Sequence, residues 1–365
     1  MTAAVALSGG IDSLVAARLL KEQNVPVIGI HFVTGYESVK HGYKNSAQPE
    51  NKPAAIKDAD HALKRLARQI DIPLHIIDCR QAFEKQIVEY FIQTYRSGRT
   101  PNPCVLCNRV IKFGIALEAA EKLGADFVAT GHYARVEKTG RKTRLLKGAD
   151  KKKDQSYFLA MLAPEQLSKA IFPLGSLDKD RVRQIALKND LEPVSNQESQ
   201  DICFIHCQNY ADFLETRGKT RFEPGPIVDA DGNILGRHKG LHRYTIGQRR
   251  GINCPGPAPY YVISIDPENN RLVVGFKNTL YKKYCYINEV NWLIPKPDKP
   301  VEVKARIRYR HNEADAVIYP GTGRSAVIRF AEPQAAVTPG QAAVCYQDDT
   351  VVAGGWIVNE SMPES

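Results

Sequence analysis

Long apolar stretches are missing from this 365-residue sequence. No run approaches the ~18–20 residues that a membrane-crossing helix requires, and the N-terminus lacks the pattern of a secretory signal peptide. We therefore expect a cytoplasmic protein with no membrane attachment. The content of 43% apolar and 25% charged residues is typical of soluble globular proteins.

Cysteine is scarce as well, and its 8 copies are too few for a disulfide scaffold. Without a secretory signal, their paired spacings indicate redox chemistry or metal binding. Acidic residues are also outnumbered, with 40 Asp and Glu against 50 Lys and Arg, which gives a net charge of +10. This excess suits a polyanionic partner because each phosphate contact releases counterions, but a merely basic enzyme fits the charge equally well.

Over the first 130 residues, short apolar runs alternate with helical periods. The predicted strands are Ala4–Leu7, Val27–Val33, Leu74–Asp78 and Phe127–Thr130. The predicted helices are Asp12–Lys21, Asp58–Ile70, Gln81–Tyr95 and Val105–Leu123. Such alternation predicts crossover units and a parallel sheet, whose ligands bind at the carboxyl ends of the strands.

After residue 208, glycine and proline bracket short β-branched runs, which predict small β domains or a barrel. These runs are Tyr260–Ile265, Arg271–Val274, Val301–Tyr309, Ala326–Phe330 and Gln341–Tyr346. The predicted fold class is α/β. A parallel-sheet nucleotide-binding domain at residues 1–208 precedes a central mostly-β domain at 209–281 and a C-terminal β-barrel domain at 282–365.

A glycine-rich string, Ser8–Ser13, separates the first predicted strand from the first helix. Glycines let the backbone approach phosphate, and a helix N-terminus offers unbonded N–H groups. Asp12 would repel phosphate unless a divalent cation lay between them, which suggests Mg²⁺. A capped helix after a tight turn is the simpler structure that the same residues allow. The string does not end in Gly-Lys-Ser/Thr as a Walker loop does.

This string resembles the pyrophosphate loop of the ATP-pyrophosphatase (PP-loop) superfamily. Members of that superfamily make adenylylated intermediates and release pyrophosphate. The resemblance implies ATP as the cofactor and leaves the acceptor of the adenylyl group open.

Three cysteines form a second set of candidate residues. Cys104 and Cys107 share one face near a predicted helix N-terminus, whose dipole lowers a thiol pKa, and Cys203 lies in a short apolar run downstream. One hypothesis is a catalytic pair, in which one cysteine carries a persulfide and another closes a disulfide bond. A second is an iron–sulfur cluster on these three cysteines, or zinc if Cys207 is added. The third is buried packing.

Taken in order, these motifs resemble the family of bacterial tRNA-specific 2-thiouridylases over nearly the whole chain. The further segments that carry the resemblance are Arg99–Phe113, Ala129–Tyr133, Lys153–Leu159, Ile202–Ile205, Thr245–Gly251, Arg306–Arg310 and Pro339–Gln341. The family thiolates the wobble uridine of tRNAs for lysine, glutamate and glutamine. The resemblance implies a tRNA-uridine 2-sulfurtransferase that adenylylates the C2 oxygen with ATP and Mg²⁺, then transfers persulfide sulfur. A sulfur-carrier protein or cysteine desulfurase is the implied sulfur source.

The resemblance also implies roles for individual residues. Cys107 matches the nucleophile, Cys203 the persulfide carrier, and Asp12 belongs to the catalytic loop. The implied ATP site is Ala6, Leu7, Ser8, Gly9, Gly10, Ile11, Asp12, Ser13, Phe32 and Gly131. The implied contacts to the base and the tRNA are Asn102, Pro103, Cys104, His132, Lys153, Asp154, Gln155, Arg308, Tyr309 and Gln341.

At Cys104 the sequence departs from the family, because many members carry an aspartate there. Either Cys104 performs the task of that aspartate as a thiolate, or Cys104, Cys107 and Cys203 hold a four-iron iron–sulfur cluster, as three cysteines do in related tRNA thiolases. The disulfide and cluster routes both stay open.

A basic segment from Glu137 to Gln155 is predicted to lie on tRNA phosphates, with a solvated charged hairpin as the alternative. Its cations are Lys138, Arg141, Lys142, Arg144, Lys147, Lys151, Lys152 and Lys153. Rival functions are a small-molecule ATP pyrophosphatase, a tRNA-binding protein with a vestigial loop, and a lysidine-forming or 4-thiolating tRNA enzyme. Of these, the first needs no reactive cysteine and the second releases no pyrophosphate. A lysidine-forming enzyme lacks the cysteine pair, and a 4-thiolating enzyme usually carries further domains.

Overall fold

The computed structural model describes residues 1–36, 63–140, 142–194, 202–205, 209–217 and 222–359. The chain divides into two compact units. Unit 1 comprises Met1–Ile87, Cys104–His206 and Asp349–Val351, and unit 2 comprises Val88–Pro103, Cys207–Asp348 and Val352–Ser365. None of the described helices is long and apolar enough to cross a bilayer.

Five parallel strands form the centre of unit 1, in the order β3-β2-β1-β4-β7. Their bounds are β1 Ala3–Ala6, β2 Val27–Val33, β3 Leu74–Asp78, β4 Phe127–Ala129 and β7 Ala170–Ile171. In the middle strand, Val5 pairs with Gly29 on one side and Ala129 on the other. Short apolar runs form these strands because both faces of a parallel sheet are covered. The predicted parallel sheet is confirmed.

Helices cover this sheet with apolar side chains. The core cluster contains Leu14 and Leu20 from α1 (Ile11–Glu22), Leu63 and Leu66 from α2 (63–70), and Val182 from α9 (Lys179–Lys188). Unit 1 also contains two short helices, α7 (Ser156–Leu159) and α8 (Pro164–Ser168). The start of the predicted helix at Asp58 lies outside the described residues.

Two predicted long helices are interrupted by π-helical turns. The first consists of α3 (Arg80–Phe83), a π-helix at Glu84–Val88 and α4 (Glu89–Arg96). The second consists of α5 (Pro103–Cys107), a π-helix at Asn108–Ile115 and α6 (Ala116–Lys122). A π-helix rotates the following residues relative to an α-helix, so face assignments made from a uniform helical period do not hold across it.

The basic segment is a β-hairpin of β5 (Ala134–Thr139) and β6 (Lys142–Lys147), followed by a turn at Lys151–Lys153. Arg135 anchors the hairpin by donating to the Asp349 carboxylate at 2.6 Å. Arg141 lies outside the described residues.

The order of the strands fixes where a ligand can bind in unit 1. From β1 the chain proceeds outward through β2 and β3, and it then returns to the other side of β1 to form β4. At such a reversal the connections after two adjacent strands lead to opposite faces and leave a crevice at their carboxyl ends. The connections that begin at this crevice are Leu7–Gly10 after β1 and Thr130–Gly131 after β4.

Unit 2 combines α4 and α10 (Tyr210–Arg217) with two β structures. A four-stranded sheet has the order β10-β11-β8-β9, with bounds β8 Gly225–Val228, β9 Ile234–His238, β10 Tyr261–Asp266 and β11 Arg271–Gly275. Its strands pack around Ile227, Val262 and Leu272.

The remaining strands form a six-stranded barrel in the order β12-β15-β14-β13-β16-β17, closed by pairing of β12 with β17. The bounds are β12 Tyr281–Trp292, β13 Val301–Arg306, β14 Ala314–Pro320, β15 Ala326–Ala335, β16 Ala342–Gln347 and β17 Thr350–Val358. The predicted barrel is confirmed. The predicted strand Val301–Tyr309 is too long, because β13 ends at Arg306 and a turn follows.

Candidate active site

Hydrogen bonds of its own serines stabilise the glycine-rich loop. Ser13 donates to the Gly10 carbonyl oxygen at 2.8 Å and its Oγ accepts from the Ser8 backbone N at 3.2 Å. Gly9 has φ +88°, a conformation that favours glycine. Within the described residues, no side chain caps α1 at Gly10, so its first N–H groups can bind an anion.

Two further predicted ATP-site residues lie at the carboxyl ends of neighbouring strands. Ala6 is the last residue of β1, and Phe32 is the penultimate residue of β2, where it is half-buried opposite Ile77. Leu7 is buried, and its backbone N donates to the Ile30 carbonyl oxygen. These contacts tie the start of the loop to the sheet.

Asp12 has a partner that the sequence did not reveal. The Lys179 ammonium donates to both carboxylate oxygens of Asp12, at 2.8 and 2.9 Å, and the Tyr133 hydroxyl donates to Oδ1 at 2.9 Å. Lys179 is 7% exposed, so this ion pair is weakly screened by water. A lysine therefore already offsets the charge for which a divalent cation was predicted.

Gly131 brings the connection after β4 against this loop. A Cβ atom at Gly131 would lie 2.8 Å from the Asp12 carbonyl carbon, so a larger residue would displace the loop. The next residue, His132, is buried and hydrogen-bonded to the Thr130 hydroxyl at 2.8 Å. Burial, together with the positive charge of Lys112, holds the pKa of His132 well below its usual value.

Cys104 and Cys107 lie on α5, but their acidity differs from the sequence-based prediction. Burial raises the pKa of Cys107 to about 12 and also raises the pKa of Cys104, while the Lys112 ammonium acts in the opposite direction at both thiols. The prediction that the helix dipole lowers these pKa values is wrong, because loss of solvation outweighs the nearby positive charges.

The three predicted cysteines come together. The Cys107 thiol interacts electrostatically with Cys203 and Cys104, and also with Cys79, which the sequence did not single out. Cys203 is exposed and Cys107 half-buried. The positive charge of Lys112 also acts on His132, whose neighbour Gly131 lies against Asp12. Lys112 and the segment after β4 thus connect the cysteines to the glycine-rich loop within unit 1.

The predicted metal sites have no preformed set of ligands in the part of the chain that the structure describes. Across the described residues, no group of three or more His, Cys, Asp or Glu side chains is arranged to hold a metal ion. An iron–sulfur cluster on Cys104, Cys107 and Cys203 stays a prediction, and Cys207 lies outside the described residues. Asp12 is a single carboxylate already paired with Lys179, so any Mg²⁺ here would take most of its ligands from phosphate and water.

Comparison with known proteins identifies the family. Three family models match in sequence: the tRNA methyl transferase HUP domain at residues 1–207, the tRNA methyl transferase PRC-barrel domain at 211–276 and the aminomethyltransferase beta-barrel domain at 282–357. A tRNA-specific 2-thiouridylase MnmA from Desulfosudis oleivorans is 47% identical over 97% of this chain and 94% of its own length. The MnmA of Syntrophotalea carbinolica is 44% identical, with 97% of each chain covered. The chain belongs to the MnmA family of tRNA-specific 2-thiouridylases.

The predicted family, fold class and enzyme class are therefore confirmed. A Moorella thermoacetica MnmA agrees, at 43% identity over 97% of this chain and 98% of its own. Among solved structures, a 4-thiouridine synthetase–RNA complex with bound ATP covers 59% of this chain and 50% of its own, at 21% identity and a TM-score of 0.33, a likeness too slight to support an argument.

In this MnmA family member, the predicted tRNA-contacting segment Lys153–Gln155 is connected to Asp12 of the glycine-rich loop through Tyr133. Gln155 exchanges hydrogen bonds with both backbone groups of Tyr133, at 3.0 and 2.8 Å. Asp154 is 3% exposed and accepts from the Gly148 and Ser156 backbones. Contact of these two residues with RNA stays a prediction, and the observed bonds favour a role in positioning Tyr133.

The remaining predicted tRNA-contacting residues belong to unit 2. Gln341 donates to the Thr100 and Pro101 carbonyl oxygens at 3.2 and 2.9 Å, which fixes the segment that leads to buried Asn102 and Pro103. Arg308 is exposed and Tyr309 half-buried, both in the turn after β13. Their contact with tRNA stays a prediction.

Sequence reasoning missed Lys112, Lys179, Tyr133 and Cys79. Tyr133 ends one of the motifs that carry the family resemblance, and Cys79 directly follows a correctly predicted strand, so both carried a usable signal. Lys179 is 167 residues from Asp12, and no local pattern pairs residues so far apart. Lys112 lies in the π-helix, where the expected helical faces are rotated.

Proposed function

We propose that the chain is a tRNA-uridine 2-sulfurtransferase that uses ATP to activate the C2 oxygen of a wobble uridine and cysteine persulfide to replace it. The observation that supports this proposal most is that Cys107 and Cys203 interact with each other in the same unit as the glycine-rich loop. A small-molecule ATP pyrophosphatase needs no such thiols, so the combination of loop and thiols favours thiolation.

The proposed adenylylation takes place at the glycine-rich loop. The N–H groups at the start of α1 hold the triphosphate, and the hydroxyls of Ser8 and Ser13 turn from their partners within the loop to donate to it. Mg²⁺ bound mainly by the phosphates would neutralise further charge. The uridine C2 oxygen attacks the α-phosphorus, and the bond to pyrophosphate breaks. Asp12 is kept from repelling the phosphates by its bond to Lys179.

Sulfur transfer then uses the exposed and the half-buried thiol. Cys203 accepts a sulfane sulfur from a sulfur-carrier protein or cysteine desulfurase and becomes a persulfide. Cys107 attacks the inner sulfur, which forms a Cys107–Cys203 disulfide and expels hydrosulfide. Hydrosulfide attacks C2, and AMP leaves. Because burial keeps Cys107 protonated at neutral pH, its proton must leave as the substrates bind, and Lys112 is placed to stabilise the thiolate.

The test is nucleoside mass spectrometry of tRNAs for lysine, glutamate and glutamine after incubation with the protein, ATP, Mg²⁺ and a persulfide source. We expect 2-thiouridine at the wobble position together with AMP and pyrophosphate. Formation of 4-thiouridine or lysidine, or no modified nucleoside with active persulfide donor, would contradict the proposal. The protein purified in air and shown to be free of iron should retain activity if the persulfide route operates.

A further inference from the structure

Asp150 is a half-buried carboxylate to which neither the sequence motifs nor the proposed chemistry gives a role. It directly precedes the Lys151–Lys153 turn. Its Oδ1 accepts from the backbone N of Lys152 at 3.0 Å and from that of Lys153 at 3.3 Å. Its Oδ2 accepts from the backbone N of Lys179, the first residue of α9, at 3.2 Å. One carboxylate therefore joins the turn to the start of α9.

The side chain of Lys179 continues this connection to the glycine-rich loop. The first N–H groups of a helix have no partner within the helix, and Asp150 accepts from that of Lys179. The Lys179 ammonium donates to both carboxylate oxygens of Asp12, at 2.8 and 2.9 Å. The place of this ammonium at Asp12 thus depends on a residue that also holds the lysine turn.

A second route joins the same two places. Gln155, which follows the turn, exchanges hydrogen bonds with both backbone groups of Tyr133. The Tyr133 hydroxyl donates to Asp12 Oδ1 at 2.9 Å. Two donors to Asp12 are consequently tied to the two sides of one turn, and all of these residues belong to unit 1.

The turn itself is suited to an RNA backbone. Lys151 and Lys152 are exposed and Lys153 is half-buried, so three consecutive cations are available to neutralise phosphates. Fixing an exposed turn costs conformational entropy. Once RNA phosphates fix the turn, the donors to Asp12 are fixed with it, and ATP binds to a loop that needs less further ordering.

We propose that Asp150 is a positioning residue that couples tRNA binding at the Lys151–Lys153 turn to ATP binding at the glycine-rich loop. This inference depends on the proposed function, which supplies tRNA and ATP as the two ligands. Positive coupling favours ATP binding when the acceptor tRNA is in place, and so limits the hydrolysis of ATP in its absence. By linkage, ATP must tighten tRNA binding by the same factor by which tRNA tightens ATP binding.

The experiment measures this coupling without turnover. In α,β-methylene-ATP a carbon atom replaces the oxygen between the α- and β-phosphorus, so the adenylyl group cannot be transferred. Its dissociation constant is measured by isothermal titration calorimetry with Mg²⁺, in the absence and in the presence of saturating unmodified tRNA for glutamate. In wild type we expect tRNA to tighten binding of the analogue by about tenfold.

Asp150→Ala and Asp150→Asn should lower this factor to about threefold, because the route through Tyr133 stays intact. An amide has a single acceptor oxygen, so asparagine can bond to the turn or to α9 but cannot join them. Both variants should bind the analogue alone as wild type does, since Asp150 touches neither ligand.

Tyr133→Phe removes the hydroxyl that ends the second route and keeps the backbone bonds to Gln155. Combined with Asp150→Asn, it should make the binding of tRNA and of the analogue independent. Fluorescence anisotropy of labelled tRNA with and without the analogue should return the same coupling factor as calorimetry for every variant.

Two controls on α9 separate coupling from a loss of structure. Asp178→Ala removes the side chain that caps α9 at the Arg181 backbone N, so it should lower the melting temperature and leave the coupling factor unchanged. Asp180→Asn removes an exposed carboxylate of the same helix and should match wild type.

The positioning role is wrong if folded Asp150→Ala and Asp150→Asn keep the wild-type factor, or if Asp178→Ala loses it equally. It is also wrong if tRNA and the analogue bind independently to wild type. In each of these cases, formation of 2-thiouridine by wild type leaves the proposed function standing. If wild type forms no 2-thiouridine, the proposed function fails, and this inference fails with it.

Discussion

Two pairs of cysteines, one in each unit, share a raised thiol pKa and differ in their surroundings. Burial raises the pKa of Cys107 in unit 1 and of Cys345 in unit 2 to about 12, and it raises the pKa of their respective neighbours Cys104 and Cys285. In the barrel, Cys285 and Cys345 belong to an apolar cluster with Ile328. Beside Cys107 lie a lysine and other thiols.

The comparison shows that a shifted thiol pKa does not by itself mark a reactive cysteine. Loss of solvation raises the pKa in both environments. Only in unit 1 is the shift opposed by a nearby ammonium, Lys112, and only there are both cysteines of the pair half-buried rather than fully buried. We infer that the charged neighbour and the access, rather than the resting pKa, distinguish chemistry from packing.

Replacing one cysteine in each unit tests this distinction most strongly. Cys107→Ser should lower 2-thiouridine formation by about 1,000-fold or more, because a hydroxyl cannot open a persulfide, and it should leave tRNA-dependent pyrophosphate release intact. Cys345→Ser should retain thiolation and lose about 1–3 kcal/mol of folding free energy, since it buries a hydroxyl among apolar side chains. The measurements are nucleoside mass spectrometry and urea unfolding. If Cys107→Ser and Cys345→Ser thiolated tRNA equally, the proposed difference between a reactive and a packed cysteine would be wrong.

The second-largest loss of activity is expected on breaking the Asp12–Lys179 ion pair at the glycine-rich loop. Lys179→Met leaves the Asp12 carboxylate unpaired beside the triphosphate site, so we expect tRNA-dependent pyrophosphate release to fall about 100-fold. Removing one partner of a buried ion pair also costs about 3–5 kcal/mol of stability, a figure that the partial exposure of Asp12 reduces. Lys179→Arg keeps the charge and should recover part of the rate.

The matched control for Lys179 is Asp180→Asn, an exposed residue on the same helix, which should behave as wild type. Full pyrophosphate release by folded Lys179→Met, checked by circular dichroism, would show that Asp12 tolerates phosphate without its lysine and would favour Mg²⁺ as the compensating charge.

The sequence predicted the parallel sheet well because each strand is a local pattern. Val27–Val33 and Leu74–Asp78 have the observed bounds, since short apolar runs between turn residues leave few alternatives. The long helices were predicted in extent, but their π-helical turns were not, because the extra residue per turn depends on tertiary packing. The barrel strand after Val301 was extended too far because alternation continues into the turn.

The residues of the candidate site that lie in sequence motifs were predicted, and those that join the site only through tertiary contacts were missed. The glycine-rich loop, Cys107 and Cys203 follow from local strings and a family resemblance. The pairing of Asp12 with Lys179 and the burial of Cys107 arise only when distant segments fold together. The thiol acidity was wrong for the same reason: a helix N-terminus can be read from sequence, and desolvation cannot.

Lys112 is the charge that distinguishes the cysteine environment of unit 1 from that of the barrel. Lys112 lowers the pKa of Cys107, so Lys112→Gln should raise it further. Below that pKa the thiolate fraction falls tenfold for each unit of increase, and alkylation of Cys107 by iodoacetamide at pH 8 should slow by up to about tenfold. Lys112→Arg should keep the wild-type rate, and Cys345 should react only on unfolding in every variant. An unchanged rate in Lys112→Gln would remove the basis for the distinction.

The smallest expected effect concerns the charges that each unit presents to RNA. Neutralising Lys151–Lys153 in unit 1 should weaken tRNA binding a few-fold. The slope of log K for tRNA binding against log salt concentration should become shallower by about 0.7–0.9 for each phosphate that is no longer neutralised. Arg308→Gln with Arg310→Gln, in unit 2, should lower the slope by a smaller amount because fewer charges are removed.

Exposed Lys188 on α9 lies outside both segments, and Lys188→Gln serves as the control. Binding is followed by fluorescence anisotropy of labelled tRNA over a series of potassium chloride concentrations. A slope that changes only with the unit 2 variant would place RNA recognition in unit 2 and leave the basic hairpin of unit 1 as a solvated surface.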